Sequence, residues 1–158
     1  MSEDFRKDLI AQMKNRALIY MEMYDVLSEE LGAAKAEALL TRAIFRRGLA
    51  AGKSLAKHAP DDLAGLKASF LASVPGGAEI FKPQVLRSDA EALEIQLHGC
   101  PLQDAWREAG LAEEKVATLC RIAGAVDKGL FEGAGFKFEN RTWTPGAEGC
   151  CFLSVRRG

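Results

Sequence analysis

Apolar side chains recur every three or four positions from Phe5 through Leu9, Met13, Ala17, Tyr20, Tyr24 and Leu27 to Leu31, which marks one face of a long helix. Ser2 stands at the cap position, Glu3 and Asp4 suit the positive end of the dipole, and Gly32 stops the run, so the helix is placed at 3–31. Met13, Met21 and Met23 fall at helical spacing and read as core filler. A second helix is expected over 34–57, with Leu39, Leu40, Ala43, Ile44 and Leu55 set against Arg42, Arg46, Arg47, Lys53 and Lys57. Pro60 and Asp61-Asp62 open a third helix that runs to residue 73, where Pro75-Gly76-Gly77 closes it.

The period then changes from helical to alternating. Residues 79–87 and 91–98 predict a hairpin turning at Ser88-Asp89-Ala90, with Leu93, Ile95 and Leu97 on one face and Glu94, Gln96 and His98 on the other. Pro83 confines the first strand to an edge or a bulge. Gly99-Cys100-Pro101 exits into a short helix ended by Gly110. A further helix follows from residue 111, with Val116, Cys120, Ala123, Asp127 and Leu130 on one stripe. Phe136–Trp143 and Cys150–Val155 form a second hairpin through 144–149. The fold class is therefore α+β: N-terminal helices followed by a four-stranded, largely antiparallel sheet made of two hairpins separated by two helices. Residues 1–158 form a single domain, with a helical part over 1–75 and an α+β part over 78–158 that carries the candidate site.

Composition narrows the partners. With 48% apolar residues the chain can bury a core without staples, and a net charge of −1 argues against a nucleic-acid or anionic-membrane surface. No run approaches the ~20 apolar residues of a membrane helix, and the charged start MSEDFRKD is no secretory leader, so a cytoplasmic protein with a small-molecule partner is expected. A homo-oligomer formed through the first helix stays open. Four cysteines without a CxxC pair read as reduced thiols, which raises the question of reactivity or metal binding.

One apparent motif is a decoy. GLAAGKS at 48–54 resembles a phosphate loop but has three residues between its glycines instead of four, and it lies inside a helical pattern. Gly48 and Gly52, four apart, instead allow another element to pack close.

Chemistry concentrates between His98 and Gly129. Cys100 falls at the cap of a helix opened by Pro101, where free N–H groups and the dipole favour a thiolate. Asp127, two turns after Cys120 on a mostly apolar face, is costly to bury unless it pairs, binds a ligand or reacts. Strand alternation sends Cys151 to the core and Cys150 to the other face, so one of the two is expected to join a shared site.

CPLQDAW at 100–106, GL at 110–111, LC at 119–120, Asp127, Phe138-Glu139-Asn140, Thr144, and Gly146 four residues before Cys150 resemble the C-terminal half of the L-2-amino-thiazoline-4-carboxylic acid hydrolase family. The resemblance covers roughly residues 95–155 and rests on the order and spacing of short motifs. It implies a hydrolase acting on the C–N bonds of a cyclic amidine, opening 2-amino-thiazoline-4-carboxylate toward a carbamoyl-cysteine. Cys100, Cys120, Asp127 and Cys150 match the family pattern, and His98 falls outside it. The spaced cysteines after a strand are also reminiscent of vinyl-reductase-type modules, which makes a non-enzymatic small-ligand or metal-binding module the alternative.

Opening such a ring needs a nucleophile, a proton for the departing group and a cation for the carboxylate. Cys100 would attack as a thiolate, or Asp127 would activate water, with Cys120 beside them and His98 shuttling protons. Arg121, Cys150 and Asn140 are the candidate substrate-binding residues, with Arg107 a second cation for the carboxylate. No cofactor is required. The alternative is zinc held by Cys100, Cys120, Cys150 and His98, although spacings of twenty and thirty residues make a weak signature.

Overall fold

A computed structural model describes all 158 residues. The chain runs α1 (Glu3–Leu31), α2 (Ala33–Gly52), a 3₁₀ turn (Lys53–His58), α3 (Leu63–Ser73), α4 (Ala78–Phe81), β1 (Pro83–Ser88), β2 (Ala92–Leu97), α5 (Pro101–Glu108), α6 (Glu113–Gly133), β3 (Lys137–Arg141) and β4 (Phe152–Arg156). The four strands form one antiparallel sheet in the order β1-β2-β4-β3. The α+β class and the two hairpins separated by two helices are as expected.

Local chemistry explains most boundaries. Ser2 caps α1 by accepting from the Phe5 amide, and Asp62 caps α3 by accepting from Gly65 N at 2.8 Å. That cap delays α3 to residue 63, three residues after Pro60. Residues 79–81, expected as strand, instead close the short helix α4, because Lys82 turns left-handed (φ 46°) before the sheet begins. Pro83 then opens the edge strand β1, where its missing N–H costs no ladder bond, and a bulge between Val85 and Arg87 follows. The last strand begins at Phe152, two residues later than the alternation suggested. Of the three methionines read as filler, Met13 is buried but Met23 is exposed.

Two core clusters meet inside the molecule. One joins α1, α2, α5 and α6 around Met13, Trp106, Leu119 and Ile122, with Trp106 Nε1 donating to Ala17 O at 2.8 Å to tie α5 to α1. The other covers one face of the sheet with α3 and α6, where Phe131 lies 5.0 Å from both Phe70 and Phe138. The decoy at 48–54 belongs to this scaffold. A Cβ on Gly48 would collide with Val126 O, one on Gly52 with Leu130 O, and one on Gly129 with Phe45 O, so α2 and α6 touch backbone to backbone. That contact places Val126, Asp127 and Leu130 beside the C-terminal end of α2.

Candidate active site

A cavity of about 460 Å³ lies where the two clusters meet, and Cys100, Cys120, Asp127, Cys150 and Cys151 all line it. Most of the α6 stripe read from the sequence faces it: Cys120, Ala123, Asp127 and Leu130 are wall residues, while Val116 is buried in the helical core cluster. Cys100 arrives from the start of α5, and Cys150 and Cys151 from the loop before β4. The expectation that strand alternation would part the last two does not hold. They precede the regular strand, after Gly149 turns at φ 71°, and the backbone pairs Cys150 N and Cys151 O with the O and N of Leu97 at 2.8 Å.

The five groups differ in electrostatics. Contact with Cys150 holds the Cys100 thiol below its ordinary range, and the N–H groups of Gln103 and Leu102 at the start of α5 act in the same direction against burial. The partner moves the other way: Cys150 is raised by Cys100 and by burial. Burial pushes Cys120 up to about 12 and raises Cys151 well above the usual thiol range. Cys100 is thus the one of the four cysteines shifted toward the thiolate. Burial alone raises Asp127 to about 7, with no neighbouring charge or hydrogen bond offsetting it. A carboxyl with that value can give or take a proton near neutrality.

Other expected site residues lie elsewhere. His98 is exposed, outside the cavity, and shares a 2.8 Å hydrogen bond with Gln84 Oε1, because alternation along β2 turns it away from the apolar wall. Arg121 points out of α6 and pairs with Glu37 through Nε–Oε1 at 2.8 Å. Asn140 is structural in placement: its Nδ2 donates to Gly124 O at 3.1 Å, and a Cβ on Gly124 would strike it. Arg107 stacks over Trp143 at 4.7 Å. The zinc set does not converge either, since His98 is outside and no three His, Cys, Asp or Glu side chains are grouped as metal ligands.

Three groups not picked out from the sequence as site residues line the cavity. Arg16 of α1 and Arg47 of α2 are exposed, line the cavity and join none of the ion pairs, so they stand at its opening as free cations. Arg47 belonged to a basic face read in sequence, while nothing in the pattern of α1 marked Arg16. Gln103 is 3% exposed and accepts from Cys150 Sγ at 3.4 Å, and its buried Nε2 has no protein partner. A buried donor without an acceptor is costly, which makes it a place for a ligand oxygen. Its position three residues after Cys100 puts it on the same face of α5 and was the available signal.

Among solved structures, the phenol-responsive sensory domain of the transcription activator PoxR with phenol is similar at 17% identity, covering 99% of this chain and 92% of that one, with a TM-score of 0.55. Trafficking protein particle complex subunit 3 from Naegleria fowleri, covalently bound to palmitic acid, is similar at 14% identity over 91% and 95% of the two chains, also at 0.55. Likeness at these identities concerns the fold. No curated protein matches the chain. A family model, described as L-2-amino-thiazoline-4-carboxylic acid hydrolase, matches residues 12–153 and so extends the resemblance seen in 95–155 across the helices that supply Arg16 and Arg47. With nearly the whole length matched, the chain belongs to the L-2-amino-thiazoline-4-carboxylic acid hydrolase family.

Proposed function

We propose that the cavity opens a small cyclic amidine carboxylate such as 2-amino-thiazoline-4-carboxylate, with Cys100 as nucleophile and Asp127 as the proton carrier. The observation that carries this reading is the convergence of a favoured thiolate and a carboxyl of pKa about 7 on one cavity opened by two free arginines. Arg16 and Arg47 hold the substrate carboxylate. The Cys100 sulfur bonds to the carbon between the ring nitrogen and sulfur, the ring C–N bond breaks, and the nitrogen leaves with the proton of the Asp127 carboxyl. The Asp127 carboxylate then takes a proton from water as that water adds to the same carbon. The bond to Cys100 breaks, the thiolate returns, and one water has been consumed to give a carbamoyl-cysteine. Gln103 Nε2 donates to the oxygen that water brings.

Incubating the purified protein with the thiazoline and following product by chromatography tests this directly. Ring opening that disappears in Cys100→Ala and Asp127→Asn supports it, and ring opening retained in both removes it.

A second reading is favoured by the lining itself, since 16 of the 24 wall residues are hydrophobic. On that reading the same cavity retains a small apolar ligand without turnover, in keeping with a fold shared with a phenol-responsive sensory domain. Tight retention of such a ligand without ring opening would select it.

A further inference from the structure

The cavity is larger than the thiazoline needs. That substrate has about nine non-hydrogen atoms, which at a generous share of about 30 Å³ each fill about 270 Å³ of the 460 Å³ present. The surplus has a place in the fold. Leu55, Phe70, Val74, Phe81 and Leu97 line the cavity where it enters the sheet-side core, and none of these side chains carries a hydrogen-bonding group. The cations come from exposed positions on the helices, Arg16 on α1 and Arg47 on α2, and the thiols join the two clusters, with Cys100 packed on one and Cys150 and Cys151 on the other. A lobe of that lining holds water poorly and gains by taking hydrocarbon.

We propose that the natural substrate is a cyclic amidine carboxylate whose reacting carbon carries an apolar substituent on its exocyclic nitrogen. The carboxylate sits at Arg16 and Arg47, the reacting carbon at Cys100, and the substituent in the lobe of Leu55, Phe70, Val74, Phe81 and Leu97. This rests on the reading of Cys100 as the attacking group, and it specifies the substrate class beyond the unsubstituted thiazoline.

The test uses saturated straight-chain carboxylates from butyrate to decanoate, titrated into the full-length Cys100→Ser chain. Fluorescence of Trp106 and Trp143 reads binding, because both line the cavity and the chain has 2 tryptophans. Affinity is expected to rise about fourfold per added methylene until the lobe is full. Val74→Phe should end the rise several carbons earlier, and alkylamines of equal length should bind more weakly than the acids. Affinity that stays flat with chain length, or a slope that Val74→Phe leaves untouched, overturns the proposal. Should Val74→Phe fail to fold, the slope in the chain with native Val74 decides alone. The two readings separate cleanly: turnover of the unsubstituted thiazoline with a flat series keeps the hydrolase and removes the lobe, whereas a rising series without ring opening of any thiazoline does the reverse.

Discussion

Cys150 lies against Cys100 and lowers its pKa, while Cys100 raises that of Cys150, so when the pair gives up a proton the negative charge settles on Cys100 at the start of α5. Cys150 has a second acceptor in Gln103 Oε1 at 3.4 Å. Its single proton goes to Gln103 when Cys100 is a thiol and to the Cys100 sulfur when Cys100 is a thiolate.

Removing the donor should therefore weaken the thiolate. In Cys150→Ala the pH at which Cys100 becomes reactive is expected to move up, because the contact that stabilises its thiolate most is gone. Alkylation by iodoacetamide across a pH series, with each cysteine resolved by peptide mass, reads this. Cys120 and Cys151, both raised by burial, should label last in either protein.

Asp127 should cost the fold stability at neutral pH. Its carboxyl titrates near 7 in the native state and near 3.9 when unfolded, so between those values the native state binds the extra proton. Stability is then highest below about pH 4, falls as pH rises toward 7 and levels off above, with a total loss of no more than about 4 kcal/mol. Asp127→Asn removes the penalty. The variant should melt higher than the parent at pH 8, match it at pH 4, and show no ring opening. Equal melting shifts at both pH values would mean that the carboxyl is not buried as described.

The α6 wall was legible because a helix repeats its face: Cys120 and Asp127 are seven residues apart and necessarily share a side. Cys100 was legible from Pro101, which marks a helix start whatever the fold. The cations were not, since the closing of α1 and α2 over the cavity is a long-range event that local period does not encode. Arg121 sits one residue after Cys120, which reads as proximity in the chain but means a rotation of about 100° around the helix, away from the cavity wall. His98 failed for the same reason on a strand. The alternation already placed it opposite Leu97, and closeness to Cys100 in sequence argued wrongly for a shared pocket. Cys150 and Cys151 show the converse, where a rule for strands was applied two residues before the strand begins.

Gly48→Ala should destabilise the protein although alanine is the better helix former. The added Cβ meets the Val126 carbonyl and the backbone of Gly129, neither of which can turn aside, so α2 and α6 must separate. Overpacking of this kind costs about 1–3 kcal/mol, more than the gain of about 1 kcal/mol from helix propensity. Urea unfolding reads the balance. Gly110→Ala is not an adequate control, since Gly110 has a positive φ, but exposed Ala50→Gly on the same helix should cost about 1 kcal/mol from propensity alone.

Gln103→Leu separates packing from chemistry. The substitution keeps the side-chain volume near that of glutamine and removes a buried Nε2 that has no protein partner, so the fold should be neutral to the change or slightly stabilised. It also deletes the acceptor competing for the Cys150 proton, which frees that proton for the Cys100 thiolate. Cys100 alkylation should then begin at lower pH than in the parent, opposite in sign to Cys150→Ala. Turnover nevertheless should fall, by about 10²-fold in kcat, if Nε2 donates to the oxygen that water brings to the reacting carbon. A more reactive Cys100 in a slower enzyme is a combination that general disruption of the site would not produce. Unchanged kcat alongside the shifted labelling profile would leave Gln103 a proton acceptor for Cys150 and nothing more.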